Sequence, residues 1–278
     1  MQAQDRISDY KEQSISLPSI FIGIGSPMVA IEYDDWTDKL CNFLENIPHP
    51  KGIIIMTPRW KTNEYVHVMY NELPEQLYDF DDAVSDTLYK LTYPCDGDLD
   101  LAKLINDILN QNEIKAKLDD SRGMDYAAWV PLYVTYPNID VPIVQLSIPN
   151  HFKPRDIMKM GNILAELRKK GILILGTGNI VYNKSLADFN NKYSEADGWA
   201  KEIDRWFDNQ LKNANIKNLL DFRNKITNVE KGIVDESNLL PLYFVLGTMR
   251  QKDHYFSIYE GFYYKNVAMR TFALVNNR

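Results

Sequence analysis

Apolar residues in this chain gather in two kinds of stretch, and the two alternate. Short continuous runs come first: Ile20-Phe21-Ile22, Ile53-Ile54-Ile55-Met56, residues 141–148 and Ile172-Leu173-Ile174-Leu175. Each is too brief for a helix and rich in β-branched residues, as suits a strand buried on both faces. Between them lie stretches with apolar residues at helical spacing. Trp36, Leu40, Phe43 and Leu44 form one such stripe, and Leu101, Leu104, Ile105 and Leu109 another. Residues 127–134, 157–167 and 239–246 are also read as helical. Residues 199–211 are read as a helix with Trp199, Ile203, Trp206 and Phe207 on its inner stripe. Residues 65–70 alternate as a strand does, and the aromatic-rich residues 255–273 suit closing strands.

Alternation without a Pro/Gly/Ser linker or an internal repeat predicts a single α/β domain. Its central sheet is mostly parallel and flanked by helices. Residues 1–16 are polar and aperiodic, so a flexible N-terminal tail is expected there, with the domain over 17–278. The stretch 171–183 organises the rest. Its apolar strand stops at Gly176-Thr177-Gly178-Asn179 and leads through Ile180-Val181 to Tyr182-Asn183. A buried strand delivering polar groups from its carboxyl end is how open α/β sheets build sites.

Composition narrows the partners. Of 278 residues, 45% are hydrophobic and 12% aromatic, enough for a substantial core. The net charge of −7 and pI near 5.2 come without a basic block, which argues against nucleic acid or an anionic membrane surface as partner. Cys41 and Cys95 are too few for a disulfide framework or a thiolate cluster. No apolar run approaches a membrane span, and the first residues lack the charged-then-apolar pattern of a secretory signal. A cytoplasmic protein is expected.

Three strands end in unusual polar turns: Ser26 after the first, Thr57 and Arg59 after the second, Thr177, Asn179 and Tyr182 after the fourth. In a parallel sheet these ends share one rim, where Tyr126 with Trp129, and Asn238, can complete a pocket. Each residue also has a plain structural explanation. Arg59 suits a surface cation, Tyr126 and Tyr182 suit half-buried packing, and Asn238 suits a helix cap.

The ordered segments Gly25-Ser26-Pro27-Met28, residues 50–60, Tyr78-Asp79-Phe80, Arg122-Gly123-Met124-Asp125, Trp129-Val130-Pro131-Leu132, residues 176–183 and Leu239-Leu240-Pro241-Leu242 carry a resemblance over about residues 17–272. The chain resembles the DOPA-type branch of the class III extradiol ring-cleaving dioxygenases, a LigB-like family. The resemblance implies that fold. It also implies that the family's metal-holding histidines correspond to Ile24, Arg59 and Asn238, and its acid–base histidines to Tyr126 and Tyr182. Histidine is absent from all of these positions.

That absence changes the expected chemistry. Divalent iron or zinc needs lone pairs from neutral imidazoles or carboxylates. Ile24 has none, Arg59 offers only donors and a permanent charge, and Asn238 offers one amide oxygen. His49, His67, His151 and His254 lie outside the matching positions. No metal and no cofactor are therefore expected, nor is extradiol cleavage, which needs a metal to hold both catechol oxygens.

The expected function is metal-free: binding or transforming a small planar organic anion, an aromatic or carboxylate ligand, in the former active-site pocket. Arg59, Asn238, Thr177, Asn179, Ser26 and Trp129 are the expected binding residues, with Tyr126 and Tyr182 as proton donors or acceptors beside the Arg59 cation. The buried Arg59 charge calls for an internal acid, for which Asp125 is the nearest candidate by motif, or for a bound anion. Two alternatives stand beside this reading. One is an inactive homologue acting through protein contacts, with a homologous subunit or a second copy as partner. The other is a dioxygenase using relocated metal ligands.

Overall fold

The computed structural model describes residues 16–80, 84–138 and 140–276. Nearly all of the expected N-terminal tail lies outside the described residues.

In chain order the strands are β1 (Ser19–Gly23), β2 (Gly52–Thr62), β3 (Val66–Met69), β4 (Ala116–Asp119), β5 (Ile143–Pro149), β6 (Ile172–Gly178), β7 (Asp253–Tyr259), β8 (Phe262–Tyr263), β9 (Val267–Ala268) and β10 (Thr271–Asn276). The main helices are α1 (Asp35–Glu45), α2 (Leu99–Gln111), α3 (Tyr126–Thr135), α4 (Pro154–Leu164), α5 (Gly198–Lys212) and α6 (Leu240–Gly247). Eight strands form one sheet in the order β4-β3-β5-β2-β6-β1-β10-β7, and β8 and β9 make a separate small ribbon. The centre of the sheet, β5-β2-β6-β1, is parallel, as expected. β3 runs antiparallel to β5, and β10 and β7 close the far edge antiparallel.

The continuous apolar runs are explained by burial on two sides. Ile53, Ile55, Leu173 and Leu175 face one core, with Trp36, Leu40 and Trp129 of α1 and α3. Ile54, Met56, Ile172 and Ile174 face the other, with Leu101 and Ile105 of α2 and Met160 of α4. Each such aliphatic side chain contributes about 1.5–3 kcal/mol on burial, offset by chain entropy.

Several local expectations shift. The helix expected over 157–167 starts at Pro154, where the Asp156 carboxylate accepts the Lys153 N–H at 2.8 Å. After Leu164 it tightens into a 3-10 turn, Ala165–Lys170. On α5, Ile203 and Phe207 are buried, but Trp199 and Trp206 are only half-buried at the margin of the core. β4 has no strong sequence signal, because Ala116-Lys117-Leu118-Asp119 is a short edge strand.

Two buried arginines anchor the antiparallel edge, Arg168 to the segment entering β1 and Arg270 to α5. Arg168 donates to the carbonyls of Leu17 (2.7 Å), Thr248 (3.0 Å) and Leu274 (3.2 Å) and pairs with Asp253 at 2.6 Å. Arg270 pairs with Asp204 and Asp208 of α5 at 2.6 and 2.7 Å.

Candidate functional site

A cavity of about 490 Å³ opens at the carboxyl ends of β1, β2 and β6. Ile24, Ser26, Arg59, Tyr126, Asn179, Tyr182 and Asn238 all line it, so residues spread over more than two hundred positions meet at one place.

The second wall is made by an interruption in β2. Met56 pairs with Leu146, and the next paired position is Lys61 with Ile148. Residues 57–60 therefore stand against Ser147 alone, a bulge that turns Pro58 and Arg59 to the cavity. The Thr57 hydroxyl accepts the Arg59 N–H at 3.2 Å and donates to Asp125 at 2.9 Å, which pins the bulge from beneath.

Arg59 is held on two sides. Its Nε donates to Asp79 Oδ2 at 2.9 Å and its Nη2 to the Asp79 carbonyl at 2.5 Å. Its guanidinium carbon lies 4.4 Å from the centre of the Tyr126 ring, over the ring face. Asp79 Oδ1 also accepts the Tyr126 N–H at 3.0 Å, so one carboxylate joins the bulge to the start of α3.

This corrects the expected pairing of Arg59 with Asp125. Asp125 is fully buried, caps α3 through the Ala128 N–H (3.2 Å) and accepts from Thr57 and from Gln145 Nε2. Its nearest cation is Arg122, at 3.8 Å. Burial pushes the Asp125 carboxyl upward, against the lowering hydrogen bonds of Gln145 and Thr57.

Two expected binding residues do not reach the cavity. Trp129 is fully buried, and its indole N–H donates to the Leu77 carbonyl at 2.9 Å. The side chain is committed to the core beneath α3. Thr177 is also fully buried, with its hydroxyl unpartnered among the described residues, while the neighbouring Gly178 and Asn179 line the cavity in its place. Asn238 lines the cavity but caps no helix: the 3-10 turn Glu236–Leu239 that carries it is capped by Asp235.

The third wall depends on a glycine. A Cβ on Gly178 would lie 2.1 Å from the Asn238 carbonyl oxygen, so only glycine lets that turn close onto β6. The same carbonyl accepts the Asn179 N–H at 3.1 Å, and Asn179 Nδ2 donates to the Ala268 carbonyl at 3.1 Å. The Tyr182 N–H donates to the Gly232 carbonyl at 2.8 Å, which fixes Tyr182 in the wall. Ser26 accepts the Met28 N–H at 3.2 Å and caps the short turn Pro27–Ala30.

The cavity also recruits residues that the sequence pattern did not single out: Lys61, Lys184, Phe189, Asp235, Ser237 and Tyr264. Lys61 is two residues beyond Arg59 and Lys184 two beyond Tyr182, which is the only signal the sequence offers for them. Phe189 and Tyr264 pack with ring centres 5.3 Å apart. Tyr264 sits in the left-handed region (φ 50°), and burial raises the pKa of its hydroxyl.

Among the described residues no group of three or more His, Cys, Asp or Glu side chains can hold a metal ion. Every histidine lies away from the cavity lining. His49 faces Asp140 at 3.4 Å, His67 contacts Asp119 at 2.6 Å, His151 contacts the Asn63 carbonyl at 3.1 Å, and His254 is exposed on β7. The donor set at the cavity does not suit iron or zinc: a hydrocarbon at Ile24, a guanidinium already held by a carboxylate at Arg59, and one amide at Asn238.

Comparison with known proteins agrees with this architecture. The family described as catalytic LigB subunit of aromatic ring-opening dioxygenase matches residues 32–272, and the chain belongs to it. The chain is 30% identical over 233 residues to 4,5-DOPA dioxygenase extradiol of Mirabilis jalapa, covering 82% of this chain and 85% of that one. With the Beta vulgaris protein of the same name it shares 29% over 242 residues, covering 82% and 85%. The crystal structure of an uncharacterized protein from Escherichia coli K12 superposes with a TM-score of 0.79 at 25% identity, covering 93% of this chain and 99% of that one. No helix among the described residues is long and apolar enough to cross a membrane.

Proposed function

We propose that this chain binds a small planar organic anion in the cavity, without the metal-dependent ring opening for which its family is named. The observation that carries this reading is the convergence of three cations, Arg59, Lys61 and Lys184, with the rings of Tyr126, Tyr182, Phe189 and Tyr264 around one cavity. Its volume, about 490 Å³, suits a single-ring ligand. Aromatic walls favour a planar body and cations favour a carboxylate or phenolate. The donor chemistry at Ile24, Arg59 and Asn238 supports the absence of a metal step. Tyr126 and Tyr182 line the cavity, and their hydroxyls support a role in exchanging a proton with the ligand.

The test is isothermal calorimetry of 4-hydroxybenzoate and related aromatic acids against the parent protein and Arg59→Ala. Binding by the parent that falls at least tenfold in the variant supports the reading, and equal binding by both overturns it. Failure of every acid to bind the parent favours the alternative, an inactive homologue working through protein contacts. That alternative draws on the exposed apolar side chains Leu186, Phe189 and Val234, of which Phe189 lines the cavity.

A further inference from the structure

Two walls of the cavity are joined by an ion pair. Lys61 follows the bulge in β2, and its Nζ lies 3.6 Å from Oδ2 of Asp235, at the start of the turn that carries Asn238. Both residues line the cavity, and their side chains are 42% and 60% exposed. An ion pair so open to water is weak and easily exchanged. Asp235 is the carboxylate among the residues lining this cavity, opposite three cations.

We infer that Asp235 sets the charge preference of the cavity, by competing with the ligand's anionic group for Lys61. The inference rests on the anion-binding reading and deepens it by naming the ligand's charge as the property selected. In the empty protein the Asp235 carboxylate occupies Lys61. A ligand carboxylate must take over that contact and also lies in the repulsive field of Asp235. Coulomb repulsion scales with ligand charge, so a dianion is penalised about twice as much in free energy as a monoanion. Asp235 therefore biases the cavity toward monoanionic rings.

Asp235→Asn isolates this effect, because the cap can survive it. Asp235 Oδ1 accepts the Ser237 N–H at 2.8 Å, and an asparagine oxygen can do the same. Two rings of equal planarity serve as probes: 4-hydroxybenzoate, with one carboxylate, and terephthalate, with two. Calorimetry at low salt should show Asp235→Asn binding 4-hydroxybenzoate about threefold more tightly and terephthalate about tenfold more tightly than the parent. Lys61→Gln should weaken both, and the gain from Asp235→Asn should shrink in the double variant. Unchanged affinities in Asp235→Asn, or equal gains for the two probes, overturn the inference while leaving anion binding intact. Absence of binding in both parent and variant overturns the inference together with the reading beneath it.

Discussion

Arg59 Nε and Asp79 Oδ2 stand 2.9 Å apart, and this contact sets how the cavity presents its deepest cation. The same carboxylate accepts the Tyr126 N–H through its other oxygen, so Arg59 is pressed over the Tyr126 ring. The guanidinium is thereby fixed in orientation before any ligand arrives, which lowers the entropy cost of binding.

Asp79→Ala should cost about 1–3 kcal/mol of stability, because it removes the carboxylate that accepts from Arg59 Nε and from the Tyr126 N–H in a partly buried place. Asp79→Asn should cost less, since its oxygen can still accept one of them. Urea unfolding with an unchanged slope and a lowered midpoint is the expected result. A midpoint equal to the parent's in Asp79→Ala would show that the contact carries no stability.

Two glycine substitutions should move stability in opposite directions. Gly178→Ala places a methyl group 2.1 Å from the Asn238 carbonyl, so the turn at 236–239 must shift. A loss of about 2–4 kcal/mol is expected, with ligand affinity lost as well. Gly198 begins α5 with nothing within 4 Å of its ideal Cβ. Gly198→Ala should gain about 0.4–1 kcal/mol by narrowing the unfolded ensemble. Thermal midpoints of the two variants check both signs.

Stability should fall on acidification through Asp119. Burial pushes this carboxyl up, but hydrogen bonds from Ser121, His67 and the Ser121 and Arg122 backbone N–H groups outweigh it and bring the pKa down to about 2. A carboxyl lowered in the folded state contributes stability that is present in full above its unfolded value near 4 and is lost as pH falls toward 2. Unfolding midpoints measured from pH 5 to pH 2 should therefore drop less steeply in Asp119→Asn than in the parent. Parallel profiles would remove Asp119 from the account.

Divalent metal should neither copurify nor stabilise. A ligand held at a hundred times its dissociation constant adds about 2.7 kcal/mol, which would move the melting point of a chain this size by several degrees. Ferrous iron or zinc should shift it by less than one degree, and catechols should stay unopened with ferrous iron present. Stoichiometric metal that survives dialysis would overturn this expectation.

Much of the fold was legible in the chain alone. Ile53-Ile54-Ile55-Met56 and Ile172-Leu173-Ile174-Leu175 announce strands buried on two faces, because alternate residues supply two different cores. The stripes of Trp36, Leu40 and Leu44 and of Leu101, Leu104 and Ile105 announce helices, because a helix on a sheet must bury one side. Polar turns after β1, β2 and β6 pointed to the rim where the cavity lies.

The partners of those polar residues were decided by tertiary structure. Asp125 and Asp79 both lie in segments that the sequence marks out, and spacing gives no reason to prefer Asp79 for Arg59. The choice follows from Asp125 being drawn under α3 as its cap, while Asp79 arrives on an irregular segment beside the bulge. Trp129 and Thr177 carry suitable chemistry, but the pitch of α3 and the pleat of β6 turn them into the core. Lys61 near the end of β2, Lys184 in the segment after β6 and Asp235 before the turn 236–239 are far apart along the chain and meet at the rim where parallel strands place their carboxyl ends together. Periodicity records which side of an element is buried. Which side chains face one another across a cavity depends on bulges, caps and close backbone approaches, and these exist only once the elements are packed.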